Sequence, residues 1–66
     1  MNIRVNGENR EIGESATVGD LLRSLDVPAK TVAVERNGRI VPKAEFDRVA
    51  LAEGDAVEIV TFVGGG

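Results

Sequence analysis

The sequence predicts an α+β domain in which a mixed four- to five-stranded sheet carries one helix across one face. Three observations lead there. Strand-like stretches stand near both ends of the chain and in its middle, at residues 1–5, 31–36 and 56–62. Two Asn-Gly pairs, Asn6-Gly7 and Asn37-Gly38, follow the first two of these stretches. That dipeptide tolerates positive φ at both central positions of a tight hairpin. Between the two turns a single segment has helical spacing, with Val18, Leu21, Leu22 and Leu25 at i, i+3, i+4 and i+7.

Taken in order, Met1, Ile3 and Val5 share one face of the first strand, and Asn2 and Arg4 the other. The chain returns through Arg10-Glu11-Ile12 as a short second strand, and residues 13–16 read as a loop. Thr17 is placed to cap the helix, and Asp20 three residues on can reach back to the cap. Gly19 costs the helix about 1 kcal/mol relative to alanine, a penalty only partly felt in the first turn. Pro28 ends the segment, because proline disfavours a helical residue before it. A helix of two to three turns is marginal in isolation and must pack on the sheet. In the third strand Val32 and Val34 face inward and Ala33 and Glu35 outward. Arg39-Ile40-Val41 leads back from the second turn. Residues 42–48 are irregular, with a helical turn that buries Phe46, and 49–51 read as a short edge strand. Glu53-Gly54-Asp55 is a turn. The final stretch, rich in Val, Ile, Thr and Phe, is the most strand-like of all. The first and last strands can then lie side by side and parallel, giving one domain over residues 1–62 and a flexible glycine tail over 63–66.

Composition excludes much. A chain of 66 residues supports one thin core, since a domain of this size buries only about 60% of its unfolded surface. There is no Cys and no His, so thiolate chemistry, disulfides and the commonest general base and metal ligand are all missing. Ser15 and Ser24, the two serines, have no imidazole to activate them. An enzyme is therefore the least favoured reading, and neither a metal nor a bound cofactor is expected. The acids Glu45, Asp47, Glu53 and Asp55 read as turn-forming and solvated residues rather than a metal cage. A net charge of −3 with scattered bases argues against nucleic acid and suits docking to a basic protein surface. No apolar run approaches the roughly 20 residues of a membrane span, and no signal-peptide pattern opens the sequence. The expected compartment is the cytoplasm, with no membrane partner.

The remaining place for chemistry is the run Gly64-Gly65-Gly66, directly after the last strand and Val63. Without Cβ atoms such a thread can enter a narrow channel in a partner. A carboxylate at its end is inert until joined to AMP as a mixed anhydride. Sulfur can attack that anhydride, and the thiocarboxylate produced is nucleophilic. None of this needs catalytic side chains on the carrier. If Val57 and Ile59 face the helix, Val60 and Phe62 point to the opposite face of the sheet. With the adjoining Val63 they then form a partner-docking patch; if the pattern slips, Phe62 is core.

At this point the chain resembles the sulfur carrier family of thiamine thiazole biosynthesis (the ThiS family), whose members have a β-grasp, ubiquitin-like fold. The resemblance runs nearly end to end. It rests on Val5-Asn6-Gly7-Glu8, Thr17-Val18-Gly19-Asp20-Leu21-Leu22, Val32-Ala33-Val34-Glu35, Asn37-Gly38, Ile40-Val41-Pro42, Gly54-Asp55, Val57-Glu58-Ile59-Val60 and Val63-Gly64-Gly65-Gly66. It implies that a ubiquitin-activating-type adenylyltransferase uses ATP to adenylate Gly66. A sulfur donor such as a cysteine desulfurase system then converts Gly66 to a thiocarboxylate, and a thiazole synthase takes the sulfur. Gly65 and Gly66 form the functional pair, and Gly64 adds freedom to the tail. The small subunit of molybdopterin synthase, a ubiquitin-like protein modifier and a non-catalytic β-grasp binding module are the alternatives.

Overall fold

The computed structural model describes residues 1–62. Its strands are β1 (Asn2–Val5), β2 (Glu8–Glu11), β3 (Val32–Arg36), β4 (Arg39–Ile40) and β5 (Ala56–Thr61), with one helix, α1 (Val18–Ser24). Single 3-10 turns occupy Ala29–Thr31 and Lys43–Glu45. The strands form one sheet in the order β2-β1-β5-β3-β4. The sheet is mixed, because β1 and β5 run parallel while every other pair is antiparallel. The last strand thus lies at the centre, as expected for first and last strands lying side by side.

Both Asn-Gly turns close two-residue hairpins. Val5 pairs with Glu8 around one and Arg36 with Arg39 around the other. All four turn residues have φ between 51° and 84°, the left-handed region that asparagine and glycine tolerate best. Thr17 caps α1 in a reciprocal box: its hydroxyl accepts from the Asp20 N–H at 3.1 Å, and its own N–H donates to the Asp20 carboxylate at 2.9 Å. Gly19 has a packing reason as well as a positional one. Its N–H donates to the Phe46 carbonyl at 2.8 Å, and a Cβ there would collide with the Asp47 carboxylate.

Three expectations need correction. First, α1 is seven residues long and stops before Pro28. Asp26 turns left-handed at φ 57°, its N–H donates to the Arg23 carbonyl, and the Val27 N–H donates to that of Leu22. This is a Schellman closure with aspartate where glycine is usual. Second, the return strand begins at Glu8, immediately after the turn. Third, residues 49–51 are not an edge strand of the sheet. They run beside the entrance to α1, with one isolated bridge between Thr17 and Ala50. The Leu51 N–H donates to the Ala16 carbonyl and the Val49 carbonyl accepts from Val18, so their backbone groups are already satisfied away from the sheet.

The core lies between α1 and one face of the sheet. Val18, Leu21 and Leu22 pack over Ile3, Val5, Val32, Val34 and Val57, with Phe46, Leu51 and Val41 closing the sides. Each fully buried side chain of this kind contributes about 1.5–3 kcal/mol relative to exposure. Among the described residues no helix is long and apolar enough to cross a membrane.

Candidate functional site

The site is built on β5, whose alternation sends successive side chains to opposite faces. Val57 is fully buried and Ile59 packs against the core beneath α1. Glu58, Val60 and Phe62 stand on the other face, with Val60 57% and Phe62 50% exposed. The pattern does not slip, so Phe62 is not core.

Paired strands hold β5 on both sides. On the β3 side the register runs from Val57 opposite Arg36 to Thr61 opposite Val32, and the Phe62 N–H continues it to the Thr31 carbonyl at 2.8 Å. On the other side β1 ends at Val5, and the Asn6 side chain takes over. Its carbonyl accepts from the Ile59 N–H at 2.7 Å and its amide donates to the Ile59 carbonyl at 3.2 Å. The side-chain amide thus acts as one more rung of the parallel ladder, keeping β5 straight towards its exit. Sequence reading took Asn6 only as a turn residue. A long-range bond of this kind has no signal in a local pattern.

Phe62 is positioned as well as exposed. The Lys43 ammonium lies 6.0 Å from its ring centroid and is fixed by donating to the Lys30 carbonyl at 2.8 Å. A cation at that range is attracted by the ring quadrupole, worth about 0.5–1 kcal/mol at an exposed site. Between Phe62 and Ile40 lies a shallow groove of about 160 Å³, lined by Ala33, Pro42 and Lys43 among others and almost wholly apolar. Ile40, 65% exposed, therefore extends the apolar surface begun by Val60 and Phe62. Local sequence does not extend the patch to β4, because only the register brings that strand alongside. Val63, Gly64, Gly65 and Gly66 lie outside the described residues.

The four acids at 45–55 do different jobs. Asp55 is buried and accepts from Arg36 Nε at 2.7 Å, Asn37 Nδ2 at 3.0 Å and the Ala52 N–H at 2.8 Å. Burial is the largest single influence on its carboxyl and raises its pKa. The hydrogen bonds from Asn37, Ala52 and Arg36 together outweigh burial and hold it below the usual carboxylate range. Asp47 pairs with Arg23 at 3.0 Å, and Glu53 accepts from the Asn2 N–H at 2.9 Å. Among the described residues no group of three or more His, Cys, Asp or Glu is arranged to hold a metal. A depression of about 320 Å³ between β2 and α1 contains Ser24. The Ser24 hydroxyl is committed to the Leu21 carbonyl at 2.7 Å.

Among the described residues, five mixed strands with a parallel first and last pair, one helix across one face and a bare opposite face define a β-grasp protein of the ubiquitin-like class. The ThiS family model matches residues 3–66, and the chain belongs to that family. The crystal structure of the thiamine biosynthesis protein ThiS from Geobacter metallireducens superposes with a TM-score of 0.86 at 42% identity, covering 100% of both chains. The sulfur carrier protein ThiS of Bacillus subtilis is 45% identical over 53 residues, 80% of each chain. A thiazole synthase of Paramagnetospirillum magneticum is 50% identical over all 66 residues, and the chain spans 20% of that synthase's length. The family is one of sulfur carriers rather than of catalysts.

Proposed function

We propose that this chain carries sulfur for thiamine thiazole formation on the carboxylate of Gly66. A ubiquitin-activating-type adenylyltransferase joins that carboxylate to AMP, using ATP and releasing pyrophosphate. A donor such as a cysteine desulfurase system supplies sulfur as a persulfide, and a thiol reductant provides the two electrons that bring it to the sulfide level. AMP leaves with one of the carboxylate oxygens, and the net change is that oxygen replaced by sulfur. The thiocarboxylate then delivers its sulfur to a thiazole synthase. ATP belongs to the activating enzyme, and the carrier binds no cofactor of its own. The reaction is placed in the cytoplasm, where ATP and desulfurases are at hand.

The observation that carries this reading is the course of β5. A central strand, paired on one side by β3 and clamped on the other by Asn6, leads to Val63-Gly64-Gly65-Gly66 beside an exposed apolar patch. The family membership supports the same reading. Gly64 and Gly65 serve as the thread that enters the partner, and Val60, Phe62 and Val63 dock against it. The match to a thiazole synthase five times longer favours a related arrangement, in which carrier and acceptor share one polypeptide.

The test is the intact mass of the 66-residue chain after incubation with an adenylating enzyme, ATP and a sulfur source. A gain equal to one oxygen exchanged for sulfur is expected, and its loss in a chain lacking Gly65 and Gly66. No gain, with an enzyme active on another carrier, would overturn the proposal.

A further inference from the structure

The outer face of the sheet carries one arrangement that does not help the fold. Glu35 on β3 and Glu58 on β5 are direct cross-strand partners, and both lie on the face away from α1. Side chains so opposed have Cβ atoms about 5 Å apart, and like charges in that position are destabilising. Neither glutamate forms an ion pair among the described residues, where every acid–base contact involves other carboxylates. Arg4, on the adjoining strand β1, is paired in register with Ala56 rather than Glu58.

The surroundings of the pair give it a use. Ile40 is the cross-strand partner of Glu35 on its other side, so one row across the sheet reads Ile40, Glu35, Glu58. The next row towards the exit of β5 is Ala33 and Val60, and the one beyond it is Thr31 and Phe62. Two unpaired carboxylates are therefore bordered by Ile40 and Val60, both more than half exposed, on the face that leads to the tail. Local rules are broken where a site needs them broken.

We infer that the Glu35–Glu58 pair is the charged centre of the docking surface and receives a cationic side chain of the activating enzyme, set among apolar residues that cover Ile40, Val60 and Phe62. A guanidinium fits best, since its planar fork can donate to two carboxylates at once and its weak hydration suits an apolar collar. This rests on the proposed function and adds the chemistry of the partner. The cation relieves the repulsion between the glutamates, so part of the binding free energy comes from strain carried by the free protein.

The experiment measures adenylation kinetics against carrier concentration, at two ionic strengths, with sulfur incorporation followed by intact mass. Glu58→Lys is expected to raise KM about tenfold with kcat near the wild-type value, as a lost interfacial charge contact would. Glu11→Lys, the same charge change on the same face two strands away, leaves KM unchanged. In the double variant Glu35→Gln/Glu58→Gln, KM loses most of the salt dependence seen for the wild type. The same variant has a Tm equal to or above the wild type, because a repulsive pair has gone.

Wild-type mass gain with an unaltered KM for Glu58→Lys would overturn the inference alone. A lowered Tm for the glutamine pair would overturn the account of the two charges as strained. A wild-type dimer in sedimentation that the glutamate variants disrupt would assign the face to a second copy of the chain and overturn it as well. If the wild type gains no sulfur from a competent enzyme, the inference falls together with the function on which it rests.

Discussion

The two Asn-Gly turns are the same dipeptide in the same conformation, yet they do different work on the same strand. Both asparagines sit near φ 50°, and both send their side-chain amides to the backbone of β5 or the turn that opens it. At the start of β5, Asn37 accepts from the Ala56 N–H at 2.9 Å and donates to Asp55 at 3.0 Å. It is thereby tied to a buried carboxylate that also takes up Arg36. Further along, the Asn6 side chain meets only the Ile59 backbone, in the open. One turn welds the beginning of the strand into the core, and the other guides its far end towards the exit. A local code sets the turn, and the rest of the fold sets its task.

The sharpest way to break this comparison is to remove Asp55. Asp55→Ala leaves Arg36, Asn37 and the Ala52 N–H without their partner, and the expected loss is about 3–4 kcal/mol, read by urea denaturation. A loss under about 1 kcal/mol would mean that the network behaves as a surface ion pair and that the two turns are more alike than the geometry says.

Acid should act through the same group. The folded-state pKa of Asp55 is depressed, so its contribution is fully present above the unfolded value of about 3.9. It is lost as pH falls through the lower folded value. Asp20, lowered by its bond from Thr17 and then by Arg23, works in the same direction. Stability measured between pH 5 and 2 should therefore fall less steeply in Asp55→Asn than in the wild type. Equal slopes would remove Asp55 as a cause of acid sensitivity.

The asparagines themselves come next. Asn37→Ala should cost about 2 kcal/mol and Asn6→Ala about 1 kcal/mol, because only the first leaves a buried charge short of a donor. Equal costs would erase the distinction. Hydrogen exchange separates them in place: the Ile59 amide should lose protection in Asn6→Ala and the Ala56 amide in Asn37→Ala. Phe62→Ala has the smallest effect on the fold, about 0.5–1 kcal/mol, the worth of the Lys43 contact to a half-exposed ring. The same variant should raise KM in the adenylation assay. Unchanged KM with reduced stability would return Phe62 to a structural role.

Much of this was legible beforehand for definable reasons. Period-2 alternation placed Ile3, Val5, Val32, Val34 and Val57 on the buried face, and period 3.6 placed Val18, Leu21 and Leu22 against them. The Thr17–Asp20 box is local, three residues apart, and formed as read. Alternation along β5 offers Val60 and Phe62 as outward residues but leaves a slip of Phe62 into the core open, and the structure decides for the outer face. What failed was equally physical. Asp26 adopts an αL conformation that proline spacing does not announce, so the helix stops earlier than Pro28 alone suggests. Residues 49–51 have strand composition, but their partner is the chain entering α1. Among four acids close in sequence, nothing local singles out Asp55 for burial; its donors Arg36 and Asn37 arrive from a hairpin nearly 20 residues earlier.

The sequence by itself determined the capped helix, the first, third and last strands, both hairpin turns and the glycine run that carries the proposed chemistry. These follow from spacing, side-chain shape and backbone freedom within a few residues, and no distant contact is needed to read them. The tertiary structure alone decided the neighbours: Asn6 against Ile59, Lys43 over Phe62, Ile40 beside the exit of β5, and Glu35 facing Glu58. Such contacts depend on strand order and register, which the packing of the whole sheet against α1 selects. A one-residue slip would send every outward side chain of β5 into the core.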